Sequence, residues 1–310
     1  MLKFVFTDIE DTKVLLFCPL ALSINQEENI PCDDMTAVFS YEKVPQLKSV
    51  VVYDDDMIVF TGVVDEQQTI VSTDGAYLKI CARSMAAVLI DNESIPVTYN
   101  HPNANLIFEK HAKPFGISKY NGSDSTYFGE LVISKGMSNW QAVYNFFNNC
   151  FSKTPRINIR GELDFLSPYG DEVVFSAGDG DINYISLTQT QKRCEEISRV
   201  NIKVTNSSGY FCKVTNEDAQ KRGITRERYL NAVLTDTPMK CADMMISNGR
   251  KNSFNIKLIC QGRYLDILGR SAKVKSEFCS DEENLYVSEV RYVLNSKKDV
   301  TTVVLKRKDV

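Results

Sequence analysis

Residues 59–92 read VFTGVVDEQQTIVSTDGAYLKICARSMAAVLIDN, and this stretch decides the fold. β-Branched residues alternate with polar ones as far as Ser72, Thr73-Asp74-Gly75 interrupts them, and alternation resumes in AYLKICA. That is the pattern of two strands joined by a tight turn, with Gly75 able to take the positive φ such turns demand. At Arg83-Ser84 the period changes, and SMAAVLI reads as a short helical run ending at Asp91-Asn92. No residue set in the segment could run a reaction, so its regularity is architectural.

The segments on either side extend the pattern. LKFVF, KVLLFC, MTAVFSYE and LKSVVVYDD are short, β-branched and aromatic, and Asp54-Asp55-Asp56 is a second hairpin turn, before MIVF. The first ninety residues therefore predict an antiparallel sheet or barrel. Beyond them Pro96, Pro102 and Pro114 punctuate a loop-rich stretch with short helices. Ser138 can cap the helix NWQAVYNFFNNCF, in which Trp140, Val143, Tyr144, Phe147 and Phe151 form an apolar stripe packed on a small sheet made from RINIRGELDFLS. From Tyr184 the strands return as INYISLTQTQKR, ISRVNIKVTN and GYFCKVTN. A basic, helical interval follows, NEDAQKRGITRERYLN and then TPMKCADMMISNGR, with Thr237-Pro238 as N-cap and first helical residue. SFNIKLICQG, SAKVKSEF, LYVSEVRYVL and VTTVVLKRK close the chain. Two β-rich blocks thus flank a mixed α/β block.

Whole-chain properties narrow the class. At 310 residues there is room for two or three domains, and 43% hydrophobic with 25% charged residues is ordinary globular composition. No window approaches the roughly 18 consecutive apolar residues of a membrane helix, and Asp8, Glu10 and Asp11 occupy the place of a signal peptide's apolar segment. A soluble, cytoplasmic protein is expected. Nine cysteines (18, 32, 81, 150, 194, 212, 241, 260, 279) are odd in number and widely spaced, which fits buried thiols better than a disulfide framework, and no C-x-x-C suggests zinc. Residues 1–155 hold 11 basic against 19 acidic residues, whereas residues 156–310 hold 25 against 21. Opposite faces of that kind suit ordered assembly of copies or partners; independent solvated surfaces are the plainer reading.

The chemical readings fail one by one. Asp179-Gly180-Asp181-Ile182-Asn183 opens like a calcium loop, but Tyr184 stands where Gly is needed and Thr190 where a bidentate Glu is needed, leaving a tight strand-to-strand turn. Gly178 and Gly180 do not complete G-x-G-x-x-G, because Asn183 takes the third place, and no phosphate-binding P-loop motif occurs. The two histidines, His101 and His111, lie in the loop-rich middle with no catalytic partner motif and read as surface or satisfied loop residues. Asp54, Asp55 and Asp56 are adjacent on a strand end, point to different faces and read as a solvated turn. The basic run Lys221 to Tyr229 is interrupted by Glu227 in a chain of pI about 5.5, so no specific nucleic-acid binding is expected. No cofactor, metal or catalytic residue is assigned.

By elimination the chain reads as a non-enzymatic, β-rich assembly component, and MIVFTGVVDEQQTIVSTDGAYLKICARSMAAVLIDNESIP resembles the first-domain pattern of phage tail and contractile-injection baseplate hub proteins of the Mu-like and PBSX-like type. The matching positions are Phe60, Gly62, Val64, Arg83, Ser84, Leu89 and Asp91. The C-terminal part is similar to that family's closing pattern in Gly262, Leu265, Gly269, the strand AKVKSE, Tyr286-Val287 and Thr301-Thr302; Ile267-Leu268 replaces a proline that often precedes Gly269. Together these stretches cover about a third of the chain.

The resemblance implies a mainly β fold with an α+β insertion: a tube-like β-barrel domain over residues 1–93, a mixed α/β domain over 94–180, and a second tube-like barrel over 181–310 with a helical insertion near 215–250. It further implies a homotrimer whose six barrels form a pseudo-sixfold ring joining a tail tube protein to a central spike protein, among other baseplate proteins, first in the bacterial cytoplasm and then in the particle. Gly62, Arg83, Ser84, Gly262, Gly269, Tyr286 and Thr302 are the implied fold and interface residues. Edge strands lent to neighbours would hide edges that otherwise aggregate, and truncating VTTVVLKRK is expected to abolish the trimer. The alternatives are a tail-associated cell-wall-degrading enzyme, which needs a deep pocket with converging carboxylates, and a receptor- or carbohydrate-binding β protein, marked by clustered exposed aromatics on loops.

Overall fold

A computed structural model describes residues 1–151, 153–165, 171–203, 209–231, 238–278 and 284–308. The chain is mostly β, with 49% of residues in strands, 18% in helices and a closed six-stranded barrel, as the strand-rich reading requires. It divides into two compact units, one of residues 1–168, 261–269 and 289–301, the other of residues 169–260, 270–288 and 302–310.

The first unit opens with seven strands: β1 (Leu2–Asp8), β2 (Lys13–Phe17), β3 (Ala21–Glu27), β4 (Asp34–Ser40), β5 (Leu47–Asp54), β6 (Met57–Ser72) and β7 (Gly75–Ser84). They pair in the order β3-β4-β7-β6-β5-β1-β2, antiparallel throughout. Alternation puts Phe4, Phe6, Leu22, Ile24, Met35, Ile80 and Val52 on the buried face, where Phe39 meets Phe4 edge-on at 5.0 Å. Both sequence-predicted hairpins form: Ser72 pairs with Gly75 around Thr73-Asp74, and Asp54 pairs with Met57 around Asp55-Asp56. Gly75 has φ 129° and Asp55 φ 51°, the left-handed values that tight turns impose.

A second core in this unit gathers α1 (Ala86–Ile90), β8 (Val97–Asn100), α2 (Ala104–His111), β9 (Glu130–Ile133), α3 (Asn139–Phe151), β10 (Pro155–Ile157) and β11 (Leu163–Phe165). Ser138 caps α3 reciprocally with Gln141: its Oγ accepts from the Gln141 N–H at 3.2 Å, and Gln141 Oε1 accepts from the Ser138 N–H at 2.8 Å. The β10–β11 hairpin supplies Ile157 and Leu163 to the core under α3, as expected. The stripe itself is corrected at one position, since Tyr144 is exposed and Phe146, outside the predicted set, is fully buried. The helix is covered over a wider arc than a single stripe, with Phe146 edge-on to Phe147 at 4.9 Å and to Phe151 at 5.2 Å.

The second unit contains β12 (Val173–Ser176), β13 (Ile182–Gln191), β14 (Arg199–Lys203), β15 (Cys212–Thr215), α4 (Glu217–Lys221), β16 (Glu227–Asn231), α5 (Pro238–Ser253), β17 (Phe254–Gln261), β18 (Ser271–Val274), β19 (Leu285–Asn295) and β20 (Lys298–Arg307), the last two contributing residues 285–288 and 302–307. The ladder β18-β12-β13-β17-β20-β19 returns to β18 and closes a six-stranded barrel around Phe175, Ile256, Leu258, Val287, Val303 and Leu305. Beside it in sequence, β15-β14-β16 form a small sheet whose Val200 and Ile202 pack with Ala242 of α5.

Three expectations change. The interval predicted as helical contains strand β16, because Gly223 (φ 73°) stops α4 and Glu227–Asn231 then pairs parallel with β14. Cys260 is fully buried, but Cys18, Cys194 and Cys212 are exposed free thiols, so the expectation of buried thiols fails at those three positions. Asp54 is not a solvated turn residue; it is held by an arginine far along the chain. The Thr237 N-cap and Cys279 lie outside the described residues. Among the described residues no helix is long and apolar enough to cross a membrane.

Candidate assembly surface

Three of the family-implied residues meet at one place. Gly62 on β6 pairs with Ser84 at the end of β7, and a Cβ at position 62 would lie 2.1 Å from the Arg83 carbonyl oxygen. The missing side chain lets β6 and β7 close. One residue past Val64 the register slips, and Asp65 is the bulged residue. Its carboxylate takes the Arg83 guanidinium in a fork, Nε at 2.7 Å and Nη2 at 2.9 Å, while Asp91 at the C-terminal end of α1 takes the same guanidinium at 2.7 and 3.2 Å. Asp65 first and Asp91 second raise the Arg83 pKa. Arg83 thus ties bulge, strand and helix, and the partly exposed pairs add geometric definition more than stability.

Ser84 points the other way, into the unit. Its Oγ accepts from the Asp33 N–H at 3.1 Å and its N–H donates to Asp33 O at 2.8 Å. Asp33 is buried and bonded to the Arg156 guanidinium, which also donates to Glu27 O at 3.3 Å. Burial pushes the Asp33 carboxyl up while Arg156 pulls it down; the net direction is up. Nothing local in sequence marks the Asp33–Arg156 pair, since 123 positions separate its members.

The C-terminal residues are distributed. Gly262 (φ 93°) offers its carbonyl to the buried Thr301 hydroxyl at 2.6 Å, and Thr301 Oγ1 accepts from the Tyr264 N–H at 3.2 Å. Thr301, not the half-buried Thr302, holds this turn. Gly269 has φ 80°, so it makes a left-handed turn without the usual preceding proline. Tyr286 is buried in the second unit, beside the β18 pairing at Ser271 and beneath the Lys251 ammonium 5.9 Å from its ring.

Among the described residues, the seven-stranded ladder of the first unit leaves β2 and the outer part of β6 as open edges. β2 ends the ladder, with Leu15 and Phe17 exposed. β6 pairs with β5 no further than Val63, so residues 65–72 have β7 alone as partner, and Ile70 and Val71 are exposed, Val71 at 77%. Unpaired N–H and C=O groups beside exposed aliphatic side chains form a template for another strand.

His111 and Asp181 are held in structural hydrogen bonds. His111 is buried, with Asn139 Oδ1 3.0 Å and Ser94 Oγ 3.3 Å from Nδ1 and the Tyr99 hydroxyl 3.1 Å from Nε2. Burial holds its pKa below the ordinary value. Asp181 accepts from the Val174 N–H at 2.9 Å. Among the described residues no group of three His, Cys, Asp or Glu could hold a metal ion.

No protein-family model matches the sequence, and no curated protein matches it either. Solved structures do. A tail protein from Neisseria meningitidis MC58 superposes with a TM-score of 0.77 at 17% identity over 98% of this chain and 96% of that one. The 43 kDa tail protein of prophage MuSo2 from Shewanella oneidensis gives 0.79 at 16% identity, covering 98% of each chain. An Escherichia coli component of the type VI secretion system gives 0.57 at 9% identity over 100% of this chain and 77% of that one. Since these likenesses span both β-rich blocks and the α/β core between them, the chain has the fold of phage tail proteins.

Proposed function

We propose that the chain is a structural hub of a phage tail or tail-like injection particle, a homotrimer whose β blocks form a pseudo-sixfold ring between tail tube and central spike. The observation that carries this reading is end-to-end likeness to two tail proteins, 98% of the chain in each case. The open edges of β2 and outer β6 support it, because a monomer gains nothing from leaving them bare. The proposed division is tube-like domain 1–93, mixed domain 94–180 and tube-like domain 181–310, the Arg83–Asp91 pair closing the end of the first. On this reading the role is non-enzymatic, and the partners are copies of the chain, the tube and spike proteins and other baseplate proteins.

Mass photometry of the purified chain tests the reading. A trimer three times the 35.1 kDa chain that grows on adding the tube and spike proteins encoded beside it is the expected result. A monomer at every concentration that ignores both would overturn it.

A receptor- or carbohydrate-binding role draws on one specific feature: Tyr210, Phe211 and Tyr229 are exposed, the two tyrosines edge-on at 5.0 Å. Such rings suit sugar faces, and a glycan array separates the two roles.

A further inference from the structure

The small sheet β15-β14-β16 has two unlike faces. On one side Val200, Ile202, Val214 and Leu230 pack with α5. Alternation sends Arg199, Asn201 and Lys203 of β14 to the other side, where strand pairing sets them beside their neighbours. Asn201 stands between Lys213 on β15 and Tyr229 on β16 in one row across the sheet. Arg199 and Glu227 share the next row and form an ion pair at 2.6 Å, while Asn201 Nδ2 donates to the second Glu227 oxygen at 2.8 Å.

Tyr229 is 63% exposed although it lies within the sheet. Tyr210 meets it edge-on at 5.0 Å, a contact that covers at most one face of either ring. Lys203 and Lys213 are diagonal neighbours across the β14–β15 pair, near enough for both ammonium groups to reach one anion. Neither has an ion pair among the described residues. The surrounding stretch is basic as well: residues 193–253 hold 11 Lys and Arg against 7 Asp and Glu, in a chain of net charge -4. Its field draws anionic partners.

Both parts of this surface point to one ligand chemistry. An open aromatic ring takes the C–H face of a sugar on its negative π face. The Arg199–Glu227–Asn201 network beside it offers carboxylate acceptors together with N–H donors, the mixed set that hydroxyls need, since each both donates and accepts. A nucleic-acid strand carries a phosphate at every step and would bring that charge past Glu227, two residues from Tyr229 on the same face. A sugar chain can set hydroxyls there and hold its charge on the side of the two lysines.

We infer that the exposed face of β15-β14-β16 binds an acidic polysaccharide: one sugar ring on Tyr229, its hydroxyls on Asn201 and Glu227, and an anionic substituent, carboxylate or phosphate, on Lys203 and Lys213. This goes beyond the ring reading, which is judged by mass, and it deepens the carbohydrate reading, on which it rests, by naming the charge of the ligand and the groups that hold it.

Isothermal calorimetry of the full chain with two acidic and neutral pairs tests the inference: hexagalacturonate against its methyl ester, and pentamannosyl phosphate against mannopentaose. In at least one pair the acidic sugar is expected to bind at least tenfold tighter than the neutral one and to weaken with salt; the pair that does so identifies the anionic group. Replacing both lysines, Lys203→Ala with Lys213→Ala, is expected to erase the preference. Tyr229→Ala is expected to weaken the acidic sugar at least tenfold, and Tyr229→Phe, which keeps the ring, to bind it as the wild type does. Equal binding within both pairs, or undiminished binding by Tyr229→Ala, would overturn the inference and leave the carbohydrate reading standing. No binding in either pair would also overturn it, and the glycan array then decides whether the carbohydrate reading goes with it. An oligothymidylate that binds as tightly and is lost with Tyr229→Ala would overturn it in favour of single-stranded nucleic acid.

Discussion

The Asp54 carboxylate and the Arg263 guanidinium meet in a two-bond fork, 2.7 Å at each contact, although 209 positions separate them. Both are largely buried, and the same arginine reaches the Tyr292 hydroxyl, which itself donates to Asp299 Oδ1 at 2.9 Å. Asp54 raises the Arg263 pKa, and burial pushes Tyr292 up to about 12. Asp54, at the β5 end of a hairpin, is thereby fastened to the turn after β17. Arg263→Ala should cost about 2 kcal/mol of unfolding free energy in urea titration, because it strands a charge-assisted partner. Arg263→Lys should recover less than half of that, since one ammonium cannot reproduce a planar fork. Equal stability of both variants and the wild type would refute the account.

Gly62 has no room for a side chain. A Cβ would sit 2.1 Å from the Arg83 carbonyl oxygen and 2.8 Å from the Phe60 ring, so Gly62→Ala forces β6 away from β7. Calorimetric melting should show a loss of about 3 kcal/mol or more, at the upper end of overpacking costs. Gly178, around which nothing lies within 4 Å and whose φ is not positive, is the control; Gly178→Ala should stay within about 0.5 kcal/mol of the wild type.

Such relationships mark the limit of what sequence pattern conveys. Period-two alternation predicted β1, β4, β6 and β7 because each has one buried face, and turn chemistry located Asp55 and Gly75 because a left-handed φ selects few residue types. The resemblance named Gly62, Arg83 and Asp91 as positions in a pattern; that the Arg83 carbonyl crowds Gly62 while its guanidinium takes Asp91 comes from the structure. Invisible were pairs joined through space alone, Asp54–Arg263 and Asp33–Arg156, whose members look like ordinary turn and strand residues. Strand β16 is not legible because ERYLN, without a β-branched residue, sits in a charged run and becomes a strand by pairing with β14. Phe146 was missed because a one-sided stripe underestimates a helix covered on two sides.

His111 gives the α/β core a pH dependence. Buried and neutral, it donates through Nδ1 to Asn139 and accepts through Nε2 from Tyr99. Its folded pKa lies below the ordinary value because of burial, so the unfolded chain binds the proton more readily. Stability is then full above the unfolded pKa of about 6.5 and falls as pH drops below it. The slope is at most about 1.4 kcal/mol per pH unit until the folded pKa is reached. Urea titrations at pH 8 and pH 5 should show a larger acid loss for the wild type than for His111→Gln. Parallel curves would refute the assignment.

The interface test must spare the fold. Truncating VTTVVLKRK removes β20, whose Thr301, Val303 and Leu305 are buried, so it would open the barrel whether or not a ring exists. Val71 is the better position: it is 77% exposed, on the part of β6 that has β7 as its one neighbour. Val71→Lys places a charge on that free edge, the device by which edge strands refuse partners. Unfolding free energy should stay within about 0.5 kcal/mol of the wild type, while light scattering after size exclusion should shift from trimer to monomer. Ile95→Lys, at an exposed position off that edge, should leave the trimer intact. A Val71→Lys chain that still assembles as a trimer would remove outer β6 from the ring contact and leave β2 as the edge to test.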